Sequence, residues 1–158
     1  ITTNIVNAST NITFNFSSIT AKAMVAKEFT IGAGNVVSSV GTPQDLANDG
    51  ADPGSMTLGS LSSAEHLWVR CSALERADAS TWTVTAGFTT FGNKGTTGGG
   101  AASNMNAAGE FKIATATTNT SDPTGTAVDV ASTMMAFDES APAATTGQGW
   151  WGSGQMGF

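Results

Sequence analysis

Few residues in this chain could do chemistry. There is one histidine, His66, and one cysteine, Cys71, in the whole sequence. They stand five positions apart, and in an extended chain an odd separation puts two side chains on opposite faces. Alternation therefore argues against a thiolate–imidazole pair, and no Gly-x-Ser-x-Gly elbow offers a serine nucleophile. His66 reads as a solvated strand residue and Cys71 as an inward-pointing small hydrophobe. A lone cysteine allows no disulfide within the chain. Glycoside hydrolysis needs two carboxylates facing each other across a cleft. Glu65, Glu75, Asp78, Glu110, Asp129, Asp138 and Glu139 are acidic, but no spacing singles out a pair, and they read as solvated charges. The expectation is a protein that is not an enzyme.

Three other groups of residues could bind something. Asp45, Asn48, Asp49 and Asp52 lie close together around Gly50 and are candidate Ca2+ ligands, since calcium takes carboxylate and carbonyl oxygens around tight turns. The EF-hand pattern fails there, because its third position is Ala47 and its closing position Met56, so a plain surface turn is the competing reading. Zinc, iron–sulfur and haem sites lack ligands. Asn7, Asn11, Asn15 and Asn119 begin Asn-x-Ser/Thr sequons and are candidate glycosylation sites. The first three, four apart, would share one face of a strand, opposite Ile12, Phe14 and Phe16. Trp150, Trp151, Met156 and Phe158 sit among glycines near the end of the chain. They could form a last core strand, dock on a neighbouring subunit, or stack on sugar rings.

Strands must position these groups, because helix signals are almost absent. Period-two alternation marks residues 7–16 and residues 23–31, where Val25, Phe29 and Ile31 share a side that Lys27 interrupts. A short run at 36–40 follows. Residues 41–54 hold Pro43, Asn48, Gly50 and Pro53 and read as a loop, with one helical turn over 45–49. Strand character returns at 55–61 and at 66–74, where Leu67, Val69, Cys71 and Ala73 form the expected core face. Residues 81–91 show the cleanest alternation, with Trp82, Val84, Ala86 and Phe88 on one side. Residues 92–102 read as a glycine-rich mobile loop, and 110–118 and 126–137 as two further strands. The fold class is all-β: an antiparallel β-sandwich, jelly-roll or Ig-like, of about 8–9 strands. Residues 1–158 read as a single domain, with 1–16 a candidate donor strand and 141–158 an aromatic, Gly-rich tail.

Composition sets the surroundings. The chain has 158 residues, of which 11% are charged and 40% hydrophobic. That is enough to bury about 68–70% of the unfolded surface without a metal or disulfide. With 6 basic and 12 acidic residues the net charge is −6, and the cations are scattered. No basic patch meets nucleic acid or an anionic membrane, and no apolar run approaches the ~20 residues of a membrane span. Starting at Ile1, the chain reads as one from which a leader has been removed or trimmed.

The stretch carrying Leu67, Val69, Trp82, Val84 and Phe91 resembles the WxL-type surface domains of bacteria, in which an L-x-V strand, a turn and a W-x-V strand precede aromatics. That resemblance implies peptidoglycan binding, although the family's terminal W-x-L motif is absent. The layout is also similar to camelysin-type secreted matrix-fibre subunits, which implies a sandwich completed by a neighbour's N-terminal strand. The expected function is an extracellular or cell-surface structural subunit of a filament, pilus-like fibre, biofilm matrix or surface layer. It would assemble with copies of itself by strand exchange, through Ile5, Ile12, Phe14 and Phe16 at one end and Trp150, Trp151, Met156 and Phe158 at the other. A cell-wall or glycan-binding surface module and a viral coat protein are the alternatives.

Overall fold

Long strands form where buried and more exposed side chains alternate, as over residues 65–75 and 130–140. The structure is a computed structural model that describes residues 15, 22–48, 52–75, 82–96, 103–125 and 129–141. Seven strands occur among them: β1 (Val36–Asn48), β2 (Met56–Leu58), β3 (Glu65–Glu75), β4 (Thr89–Gly95), β5 (Met105–Thr115), β6 (Asn119–Ser121) and β7 (Val130–Ser140). The chain is all-β in these residues, with every pairing antiparallel and no α-helix. No helix among the described residues is long and apolar enough to cross a membrane.

Five strands make one sheet in the order β1-β7-β3-β5-β4, and β2 and β6 pair as a small second sheet. β2 packs against β1 and β7, so the large sheet has an inner face turned to the small one and an outer face turned away. The core lies on the inner side. Met56 and Leu58 of β2 close over Trp68, Met134 and Ala136, with Phe88 beside them. Leu74, Ala108 and Val130 form a second cluster, capped by half-buried Trp82.

The strand expected at 66–74 is β3, but its faces are reversed. His66, Trp68, Arg70, Ser72 and Leu74 are buried; Leu67 and Val69 are half-buried, and Cys71 and Ala73 are exposed. Because side chains alternate strictly, turning one residue inward turns all five. Trp68 and Leu74 enter the two core clusters, and Arg70 and His66 enter with hydrogen-bond partners, the condition for burying polar groups. Cys71 is accordingly not a core residue, and His66 is not solvated.

Other expectations are corrected as well. Residues 41–48 are strand rather than loop, and Asp45 to Asn48 make no helical turn. Register slips between Val40 and Gln44, so Gly41, Thr42 and Pro43 bulge from β1 opposite Met135 alone. Gly41 takes φ +70°, open to glycine, and Pro43 sits where no ladder donor is needed. Residues 82–88 form no strand beyond an isolated bridge between Thr83 and Thr124. A turn at Thr85–Phe88, with Gly87 at φ +82°, breaks the run, and β4 begins after it. Gly92 and Gly95, placed by composition in a loop, belong to β4. Residues 23–31 join no strand and instead lie along the outer face.

Candidate interaction surface

Two polar clusters lie inside the fold, and both serve to tie strands together. Arg70 has no exposure, and each arm of its guanidinium is occupied. Nη1 donates to the carbonyls of Gly54 (2.8 Å) and Ser121 (3.1 Å), and Nη2 to the Pro53 carbonyl (2.7 Å) and Ser132 Oγ (3.1 Å). Nε reaches Ser72 Oγ, which is itself 2.7 Å from Ser132 Oγ. Burial lowers the Arg70 pKa, opposed by the nearby charges of Glu110, Asp122 and Asp52. Glu110, also wholly buried, accepts from Thr85 N (2.8 Å), Thr85 Oγ1 (2.7 Å) and Ser121 Oγ (2.6 Å). This carboxylate holds the backbone at Thr85 in place of a ladder, the physical reason residues 82–88 leave the sheet. At zero exposure neither group can meet a substrate in this fold.

His66 makes the second cluster. Its Nδ1 meets the Asp138 carboxylate, its Nε2 lies 2.9 Å from the Ser62 carbonyl, and its ring stands edge-on to Trp68. A carbonyl and a carboxylate both only accept, so the arrangement fits the doubly protonated ring. Burial opposes that charge, but the bonds to Ser62 and Asp138 and the Asp138 charge outweigh it, and the His66 pKa is raised. His66 and Cys71 lie on opposite faces of β3, as their spacing requires.

The outer face of the large sheet is of another kind: apolar and half open. Along β7, β3 and β5 it presents Phe137, Leu67 and Ile113, then Met135, Val69 and Phe111. Ile113 is 56% exposed. Farther along, the side chains shrink. Thr133, Cys71 and Gly109 form one cross-strand row, and Ala47, Ala131, Ala73 and Ala107 the next. The tip of the Phe91 ring sits against Gly109, where a Cβ would fall 2.1 Å from Cζ.

Residues 22–31 cross this face as a strap. Val25 packs on Gly92, Phe29 meets Phe111 edge-on with centroids 4.9 Å apart, and the Lys27 ammonium stands 6.0 Å from the Phe111 centroid. Lys27, expected to interrupt the apolar side, thus joins it by a cation–π contact. The strap is tied down where it ends: Glu139 accepts from Gly32 N (2.5 Å) and Asn35 Nδ2 (2.6 Å). The Asn35 bond, then that of Gly32, holds the Glu139 carboxyl below its usual range. Between strap and β1 a trough of about 650 Å³ stays open, lined mainly by Ala23, Val25, Leu46, Cys71, Ala73 and Ala131. The Cys71 thiol is accessible there yet ringed by protein, and that loss of hydration raises its pKa.

The candidates named from the sequence fall unevenly on this structure. Ile5, Ile12, Phe14, Phe16, Asn7, Asn11, Asp49, Trp150, Trp151, Met156 and Phe158 lie outside the described residues. Asn15 is exposed. Asn119 is half-buried in β6; its Oδ1 accepts from Lys112, and the nitrogen that would carry a glycan is buried without a partner. Asp45 projects from β1 opposite Thr133, and Asp52 accepts from Gly54 N in a tight turn. The carbonyls beside Asp52, at Pro53 and Gly54, are already engaged by the Arg70 guanidinium. Among the described residues no three His, Cys, Asp or Glu side chains converge as metal ligands. Of the surface-domain motif, Leu67 and Val69 lie on the outer face whereas Trp82 packs on the inner one. No protein-family model matches the chain, and no curated protein or solved structure is significantly similar to it.

Proposed function

We propose that this chain is an extracellular structural subunit that assembles with copies of itself through terminal strand exchange, building a filament, fibre or surface layer. The observation that carries the reading is the outer face. An apolar sheet surface only partly covered by residues 22–31 favours association, because burying it removes apolar area from water at about 25 cal/mol per Å². The charged interior groups hold strands together and are closed to substrate, which supports a structural rather than an enzymatic role. β1 and β4, the outermost strands of the large sheet, offer edges to which an extended terminus could add. On this reading the two sheets belong to a sandwich of jelly-roll or Ig-like type, completed by a neighbour's segment.

The test compares the whole chain with one lacking residues 1–16, by negative-stain microscopy and sedimentation. The full chain should form polymers and the shortened one a folded but less stable monomer. Polymers that persist after the deletion would overturn the proposal.

A further inference from the structure

We propose that Lys112 and Asn119 form an intramolecular isopeptide bond, an amide that joins the large sheet to the small one with loss of ammonia. The inference goes beyond the assembly reading and does not depend on it.

The two side chains already meet. Lys112 lies on β5 and Asn119 on β6, and Lys112 Nζ stands 3.3 Å from Asn119 Oδ1. An ammonium only donates, so the carboxamide turns its oxygen to Lys112 and its nitrogen away. That nitrogen, Nδ2, is buried and has no hydrogen-bond partner. A buried donor without an acceptor is costly, and expelling it as ammonia removes the cost. The carboxamide thus presents its carbonyl to an amine and keeps its leaving group where nothing binds it.

Both partners are held in position. Asn119 pairs with Leu58 of β2, and the neighbouring Thr118 hydroxyl donates to the Leu58 carbonyl at 3.1 Å. Lys112 Nζ stands 5.6 Å from the Phe88 ring centroid, and a Cβ on Gly87 would lie 4.0 Å from it. These contacts confine the amine to the space between the Thr85–Phe88 turn and β6. The carbon to be attacked lies one C=O bond, about 1.2 Å, from the oxygen now in contact. Holding two reacting groups this close makes their reaction effectively unimolecular.

The step balances without a co-reactant. Nζ gives up a proton, and its lone pair adds to Asn119 Cγ. A Cγ–Nζ bond forms, the Cγ–Nδ2 bond breaks, and Nδ2 takes up the proton and leaves as ammonia. Nothing is oxidised or reduced. Glu110 is the one acidic residue on the inner face of β5, two positions before Lys112. Its contact with Ser121 Oγ at 2.6 Å is the next rung along the same two strands, which places a carboxylate beside the pair to pass the proton on. The product matters to the fold because β2 and β6 share no ladder with the large sheet. The amide ties the two sheets covalently where packing and hydrogen bonds otherwise hold them.

The test is the intact mass of the purified full-length protein. The folded wild type should be one ammonia lighter than its sequence, whereas Lys112→Arg and Asn119→Ala should each have their full sequence mass. Trypsin locates the bond. Lys112 is the last Lys or Arg of the chain and Lys94 the one before it. An unbonded chain therefore releases residues 113–158, while the bonded one resists cleavage after Lys112 and yields residues 95–158 as one peptide. Full sequence mass in wild-type protein that circular dichroism shows to be folded would overturn the proposal. Ammonia loss with normal cleavage after Lys112 would overturn it too, since that marks an asparagine cyclised on its own backbone. Both readouts are made on wild type, so they stand even if a variant fails to fold.

Discussion

Arg70 and Glu110 face each other across β3 and β5, both without solvent exposure, and the Ser121 hydroxyl stands between them, accepting from the guanidinium at 3.3 Å and donating to the carboxylate at 2.6 Å. The small sheet, through Ser121, is thereby bound to the middle of the large one by a charged pair it separates. Removing one member strands the other charge in the interior, at a cost of about 3–5 kcal/mol. Arg70→Met should lower the unfolding free energy extrapolated from urea titration by that order, and Glu110→Gln by less, because an amide keeps shape and some bonds. A double-mutant cycle should give a coupling of the same sign between them; additivity would show that the pair does not act as a unit.

His66 makes stability depend on pH in a definite direction. Its folded pKa is raised, so the folded state holds the proton more tightly than the unfolded chain does. The resulting stabilisation is fully present below the unfolded value of about 6.5 and is lost as pH rises through the folded value. Denaturant midpoints measured across this range should fall with rising pH, and His66→Gln should remove that segment of the curve.

Gly109 is the seat of the Phe91 ring, and any Cβ there meets it at 2.1 Å. Gly109→Val should therefore destabilise by about 1–3 kcal/mol, the usual cost of forcing a packed group aside. Pairing Gly109→Ala with Phe91→Leu should recover much of the loss of Gly109→Ala alone, which thermal melts would register.

Glu139 moors the end of the strap. Glu139→Ala removes the acceptor for Gly32 N and Asn35 Nδ2. Trypsin should then cut faster after Lys22 and Lys27, both exposed, with little change in the global unfolding midpoint. Since the folded pKa of Glu139 is depressed, its contribution holds above the unfolded carboxylate value and is lost as pH falls through the folded one. Strap protection factors from hydrogen–deuterium labelling, taken relative to the intrinsic exchange rate at each pH, should fall on acidification in wild type but not in Glu139→Ala.

What the sequence made legible was periodicity; what it hid was orientation and long-range partnership. The alternation at 66–74 marks β3, yet hydropathy ranks Arg70 and His66 outward because it cannot see Glu110, Ser132 or Asp138, which arrive from β5 and β7. Trp68 and Leu74, bulkier than Cys71 and Ala73, were the one local sign that the other set turns inward. Residues 82–88 carry a strand pattern, but a carboxylate from β5 captures the backbone at Thr85, and Gly87 alone hints at the turn. In β1 the Gly41 and Pro43 signals are real and make a bulge instead of ending the strand. The trough was invisible for a related reason: its alanines come from four separate strands and are neighbours only through register.

Strand order also governs when the sheet can form at all. β7, the last strand described, lies between β1 and β3, so Val36 finds its partner only at Ser140. A chain emerging from its N-terminal end holds a vacant lane between β1 and β3 until β7 arrives. Topologies dominated by such distant pairings condense slowly, over about milliseconds to seconds. Until then β1 has no ladder partner, and the backbone groups it will pair with β7 stay bonded to water.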